Sequence, residues 1–282
     1  MVSKHCSFTK ETEMPHSQSW IYQFFGGEKD FYGTVYAAMG VFDKKNAEKE
    51  VDGVLAILKP EPGSHILDWC GGWGRHAVPL AKSGYKVTVL DFSKEYLERA
   101  EAYAKREGVS LNLVHSDFRQ TPPSIQADYA VNLFTAGLGY LGERGDLLAL
   151  EMLRKALKPG ARILIDTMSL VWIMKNFMSS SWDESTDGLK WRLDKRKFDF
   201  MTNTVNTRSV YVDNEAGTKM EVNHSLKVYS PADLARALNI AGFVPGDLFG
   251  DFDGSEFTLN SRRVVMTASD PRKKENYSRG IY

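Results

Sequence analysis

The chain is poor in cysteine, with two in 282 residues, Cys6 and Cys70. They stand in unrelated contexts, which excludes a disulfide framework and suits a reducing, cytoplasmic setting. Net charge is also missing: Lys plus Arg equals Asp plus Glu at 36 each. A balanced surface offers no general pull toward nucleic acid or an anionic membrane. No apolar run approaches the ~20 residues of a membrane-spanning helix. The opening MVSKHCSFTKETEMPHSQSW lacks the apolar centre of a secretory signal. No internal repeat or low-complexity block appears. What remains is an ordinary globular composition, 43% hydrophobic and 26% charged.

Along this chain one rhythm dominates. His65–Trp69, Lys86–Leu90, Leu111–Val114, Tyr129–Phe134 and Arg162–Asp166 read as strands. Between them, helical patterns run over 74–83, from Ser93 to near Gly108, and over 147–157, the last closed by Lys158-Pro159-Gly160. Strands alternating with helices argue for a Rossmann-like, doubly wound α/β fold with a mostly parallel sheet. Residues 1–18 read as a polar tail. Residues 19–60, with Trp20, Phe24, Phe31, Val35, Val51, Leu55 and Leu58 at helical spacing, read as a helical cap. The alternating core occupies 61–178. Residues 179–230 break the rhythm with Val-, Thr- and Tyr-rich stretches around the turn Asp213–Gly217, an antiparallel insertion and candidate substrate lid. Ser230-Pro231 opens a helix, two closing strands complete the core to 270, and 271–282 form a second polar tail.

The informative stretch is Ile66-Leu67-Asp68-Trp69-Cys70-Gly71-Gly72-Trp73-Gly74-Arg75-His76-Ala77. A carboxylate ends the first strand and a glycine-rich turn follows. Ligands of open parallel sheets bind beyond the carboxyl ends of the strands. Missing side chains admit a ligand to the backbone, and a helix starting near Gly74 would offer N–H groups to an anionic group. Gly72 to Ala77 matches the dinucleotide fingerprint G-x-G-x-x-G/A, with Asp91 closing the next strand. That reading makes the protein an NAD-dependent dehydrogenase. Asp68 opposes it, because a carboxylate there would face a pyrophosphate with like charge. S-adenosylmethionine has no phosphate, and its ammonium suits Asp68.

Here the sequence resembles the class I S-adenosylmethionine-dependent methyltransferases, most nearly the small-molecule enzymes with the first motif D-L-x-C-G-x-G-R-H. The resemblance continues in Val89-Leu90-Asp91-Phe92-Ser93, Ser116-Asp117-Phe118-Arg119, Asn132-Leu133-Phe134-Thr135 leading to Gly139-Tyr140, and Leu157-Lys158-Pro159-Gly160. It implies S-adenosylmethionine as cofactor. The implied binding residues are Asp68, Cys70, Gly71, Gly72, Gly74, Asp91, Phe92, Ser116, Asp117, Phe118 and Leu133, with Tyr32 covering the donor from the N-terminal segment. The expected acceptor is a small molecule methylated on nitrogen or oxygen, with no nucleic acid and no membrane partner; a homodimer is compatible with this reading. His224, a candidate general base, and Tyr140 are the expected catalytic residues; Tyr36 is expected beside Tyr32 over the donor, and Tyr229 as a packing or acceptor-shaping ring. Asp117 has the rival role of pairing with Arg119 or capping a turn. A non-catalytic protein that binds the donor and acts through a partner is the alternative from another class.

Overall fold

The computed structural model describes residues 19–26, 30–39 and 44–272. Both expected tails, apart from residues 271 and 272, lie outside the described residues, as does Cys6. The core is a seven-stranded sheet. Its strands are β1 (His65–Trp69), β2 (Lys86–Asp91), β3 (Asn112–His115), β4 (Ala127–Asn132), β5 (Leu157–Met168), β10 (Val244–Phe249) and β11 (Arg263–Ser269). Their order is β10-β11-β5-β4-β1-β2-β3. β1 pairs in parallel with β2 and β4, while β11 runs antiparallel to both β5 and β10. This is the Rossmann-like α/β fold expected, and the order reverses at β1, the switch point where such sheets bind ligands.

The helices are α1 (Trp20–Phe25), α2 (Phe31–Ala38), α3 (Lys44–Leu58), α4 (Ala77–Lys82), α5 (Lys94–Arg106), α6 (Gly142–Ala156), α7 (Leu170–Lys175) and α8 (Pro231–Ile240). One apolar layer joins Val51, Val54 and Leu58 of α3 to Ile66, Val87, Val89 and Leu164 of the sheet. The opposite face packs Leu67, Leu90, Ile163 and Ile165 against Leu150 and Leu153 of α6 and Leu234 and Leu238 of α8. α3 therefore belongs with the sheet, whereas α1 and α2 do not. Phe24, Phe31 and Val35 pack instead on Tyr211 and Val222 of the insertion.

That insertion is a four-stranded antiparallel sheet, β6 (Ser180–Glu184), β7 (Lys190–Asp199), β8 (Thr204–Asp213) and β9 (Thr218–Lys227), in sequential order. Its period-2 burial on β8, with Val205, Thr207, Ser209 and Tyr211 buried, turns one face toward α1 and α2. α2 is also tied to the core. Asp30, 2% exposed, accepts hydrogen bonds from the Tyr96 hydroxyl of α5 and the Gly33 N–H, both at 2.5 Å.

Several boundaries differ from the sequence reading: α6 starts at Gly142, five residues before 147, and β5 begins at Leu157 and takes in Lys158-Pro159-Gly160. Two more bear on the site. The helix expected to start near Gly74 starts at Ala77. A start at Gly74 would leave Pro79 deep in the helix, without the N–H that position requires; a start at Ala77 puts Pro79 in the first turn, where none is needed. The fourth strand ends at Asn132, not Phe134, because Phe134 and Thr135 take positive φ of 65° and 56°. No helix among the described residues is long and apolar enough to cross a membrane.

Candidate functional site

Beyond the carboxyl ends of β1, β2 and β4 lies a pocket whose empty space, open solvent at its mouth included, is about 1010 Å³. Its floor is made by Asp68, Cys70, Gly71, Gly72 and Asp91, one side by Asp117, Phe118, Leu133 and Phe134, and its far end by Ile21, Phe25, Tyr32, Tyr140 and Leu141.

The glycine turn is shaped around Asp68. A Cβ on Gly71 would stand 2.6 Å from the Asp68 carboxyl carbon, so any side chain there displaces the carboxylate. Asp68 is 2% exposed and its Oδ2 has no hydrogen-bond partner. Burial, and then the charge of Asp91, push its pKa up to about 7. An unpartnered buried carboxylate is costly, and a cationic group placed beside it would relieve that cost.

Asp91 ends β2. It accepts the Gly72 N–H at 3.0 Å through Oδ2 and the Ser93 N–H at 2.9 Å through Oδ1. Burial raises it to about 6. Each oxygen keeps a second lone pair for a ligand hydroxyl. Asp117 both pairs with Arg119, Nη2 to Oδ2 at 2.6 Å, and accepts the Arg119 N–H at 2.8 Å. The duller reading of its role is therefore real, although Asp117 also lines the pocket. Cys70 holds φ of 65°, and burial pushes its thiol well above the ordinary value. A Cβ on Gly137, itself at φ 74°, would stand 2.6 Å from its sulfur. Cys70 is thus a wall, not a nucleophile. Among the described residues no cluster of His, Cys, Asp and Glu has the makings of a metal site.

Three expected residues fall outside the lining. Ser116 spends its hydroxyl on the carbonyls of Asp117 and Gln120. Gly74 packs toward Ala100, 3.2 Å from where its Cβ would be. His224 sits on β9 with its ring 4.4 Å from that of Phe24, and its Nε2 lies 3.2 Å from Ser209 Oγ. Burial lowers its pKa to about 4, so it is neutral at pH 7 and does not reach the pocket. Tyr140 does line the far end, with its ring 4.9 Å from Phe25 and edge-on to it. Burial raises its hydroxyl far above the ordinary range, which keeps it protonated. Tyr32 also lines the pocket, while Tyr36 stands outside it, under the Arg192 guanidinium at 5.0 Å. Tyr229 is a brace: its hydroxyl donates to buried Asp146 at 2.5 Å, and Asp146 also accepts the Gly139 N–H.

Residues 66–160 match a family model described as a methyltransferase domain. That stretch runs from β1 into the start of β5. The tRNA 5-carboxymethoxyuridine methyltransferase of Escherichia coli (strain K12) is 25% identical over 169 residues, 57% of this chain and 60% of that protein. The chain thus spans less than two thirds of that relative's length. The glycine/sarcosine N-methyltransferase of Aphanothece halophytica is 34% identical over 80 residues, 28% of this chain and 30% of that protein. Among solved structures, an S-adenosylmethionine-dependent methyltransferase from Clostridium acetobutylicum superposes with a TM-score of 0.72 at 14% identity, covering 85% of this chain and 98% of that one. The fold is therefore the one that this S-adenosylmethionine-dependent methyltransferase has.

Side chains that motif reading passed over complete the lining, among them Ile21, Phe25, Tyr96, Arg75 and His76. The first two come from α1, in the N-terminal helical segment whose closure over the sheet's mouth was expected, although neither residue was marked by a motif.

Proposed function

We propose that this protein transfers a methyl group from S-adenosylmethionine to a small acceptor with an apolar or aromatic body. The observation that carries the reading is the division of one pocket. Its ionisable carboxylates, Asp68, Asp91 and Asp117, stand at the strand tips, and its far end is Ile21, Phe25, Tyr32, Tyr140 and Leu141. The residues at the strand tips fit the donor. Asp68, with its free Oδ2, would hold the ammonium, Asp91 the ribose hydroxyls, and Phe118 and Leu133 the faces of the base. Bound there, the donor supplies a methyl group made electrophilic by a sulfonium, which leaves as a neutral thioether.

The protein's own share is alignment. Holding acceptor and donor in line supplies much of the rate of such a displacement. Tyr32, Phe25 and Tyr140 shape the acceptor end, with Phe25 5.1 Å from Tyr32 and 4.9 Å from Tyr140 between ring centres. Ring faces also favour a neighbouring cation. With His224 behind Phe24 and Tyr140 held protonated, no described side chain lining the far end is placed to take a proton. This favours an acceptor that presents its own lone pair, such as a neutral amine.

Among the described residues no lysine lines the far end, and α1 covers it, which favours a small molecule over a polynucleotide. The Escherichia coli relative named for a tRNA nucleoside is the reason to test this directly. Protein is incubated with methyl-labelled donor and, separately, a metabolite extract and bulk RNA. Label in the small-molecule fraction is expected. Label confined to RNA overturns the acceptor reading. Absence of donor binding by calorimetry overturns the donor site itself.

A further inference from the structure

Arg75 follows the glycine turn and lines the pocket. Its side chain is 10% exposed. Nη1 donates to Glu50 Oε2 of α3 at 2.7 Å, and His76 Nε2 lies 2.8 Å from the same oxygen. The guanidinium carbon stands 4.8 Å from the centre of the Phe134 ring. Phe134 is fixed in turn: its N–H donates to Asp166 Oδ2 at 2.7 Å, and Arg263, which pairs with Asp166, lies over the same ring at 5.1 Å. The guanidinium is thus held by an ion pair at one end and an aromatic face along its plane.

The other edge is idle. Nε and Nη2 of Arg75 are buried and have no partner. Those two donors form the side-on fork that takes a carboxylate through two parallel hydrogen bonds. Leaving two charged donors buried and unpaired is costly. Arg263, the other cation against Phe134, has Asp166. Asp68, whose Oδ2 is likewise unpartnered, does not serve Arg75, whose ion pair is with Glu50. The pocket therefore holds two unsatisfied groups of opposite sign, one at the tip of β1 and one just past the turn that follows it.

We propose that Arg75 is the anchor for the carboxylate of the donor's amino-acid end, so that Asp68 and Arg75 together grip a zwitterion. This rests on the donor reading above and replaces the helix N-terminus near Gly74, which the late start of α4 removes from that role. Burial lowers the pKa of His76, which favours its neutral form and leaves the guanidinium as the charge presented to the ligand. Glu50 and Phe134 act as positioning residues: one fixes Nη1, the other the plane of the fork. An acceptor carboxylate offers the same chemistry, and the test separates the two sources.

The probes are S-adenosylhomocysteine, which keeps the amino-acid end, and methylthioadenosine, which lacks it. Both are titrated by calorimetry into the full chain and into Arg75→Met. The expected result is a loss of at least about tenfold in affinity for S-adenosylhomocysteine, with methylthioadenosine affinity unchanged within about twofold. A merely structural role would weaken both probes together, and that result overturns the proposal. Unchanged affinity for S-adenosylhomocysteine also overturns it and assigns the fork to the acceptor. If Arg75→Met does not fold, Arg75→Lys carries the same comparison, because it keeps the charge and removes the fork; the ratio of the two affinities is expected to narrow, and a preserved ratio refutes the inference. A wild-type protein that binds neither nucleoside refutes the donor reading on which the proposal stands, an outcome distinct from the others.

Discussion

Donor binding should release a proton, and Asp68 sets how much. Without ligand its pKa is about 7 and that of Asp91 about 6, both raised by burial. A carboxyl that meets an ammonium must be ionised. At pH 6 a group with a pKa near 7 is ~90% protonated, so ~0.9 proton must leave Asp68 on binding, against ~0.25 at pH 7.5. Apparent affinity should then fall roughly eightfold from pH 7.5 to pH 6 and approach a decade per pH unit below that. The sign for stability is opposite. A carboxyl whose folded pKa is raised contributes stability that is complete below ~4 and is lost as pH rises through ~7, so the ligand-free protein should melt lower at pH 7.5 than at pH 5, from this group alone. Calorimetric titration of S-adenosylhomocysteine in two buffers of different ionisation enthalpy counts the protons directly. Asp68→Asn should bind more weakly and lose most of the pH dependence between pH 7.5 and 6.5, leaving only what Asp91, at about 6, contributes below that. Affinity flat from pH 7.5 to 5.5, with no proton released, would refute the placement of a cation beside Asp68.

Three further outcomes follow from contacts described above. Gly71→Ala, whose methyl would press on the Asp68 carboxyl at 2.6 Å, should weaken donor binding at least tenfold while far-ultraviolet circular dichroism stays native. Tyr229→Phe leaves buried Asp146 short of the hydroxyl it receives at 2.5 Å; a loss of about 1–3 kcal/mol is expected, seen as a melting temperature lower by several degrees. Tyr96→Phe removes the matching bond to Asp30, and amide exchange in α1 and α2 should quicken by about fivefold or more while β1 and β4 stay protected.

What could be read in the sequence was whatever is local along the chain. Asp68 and its glycines are neighbours in one turn, so strand polarity and side-chain size sufficed to mark a ligand site. Asp91 is set by the strand beside it in the same repeating unit. The role of Arg75 depends on Glu50 from α3 and on Phe134 beyond β4, two partners that only the fold brings to it. His224 looked available because strand alternation says which face a residue takes, not that Phe24 of a distant helix lies against its ring. The start of α4 was legible and was missed: Pro79 already forbade a helix beginning at Gly74. Tyr229 looked like an acceptor-shaping ring because nothing local marks Asp146 as its partner.

The short helix α1 touches both sheets' business. Ile21 and Phe25 close the far end of the pocket, Phe24 leans on the insertion, and the Tyr22 hydroxyl donates to Glu95 of α5 at 3.1 Å. Any displacement of α1 would therefore open that wall of the pocket and loosen its hold on the insertion together. Substitutions along that seam are expected to change how fast ligands exchange while leaving every carboxylate of the pocket untouched.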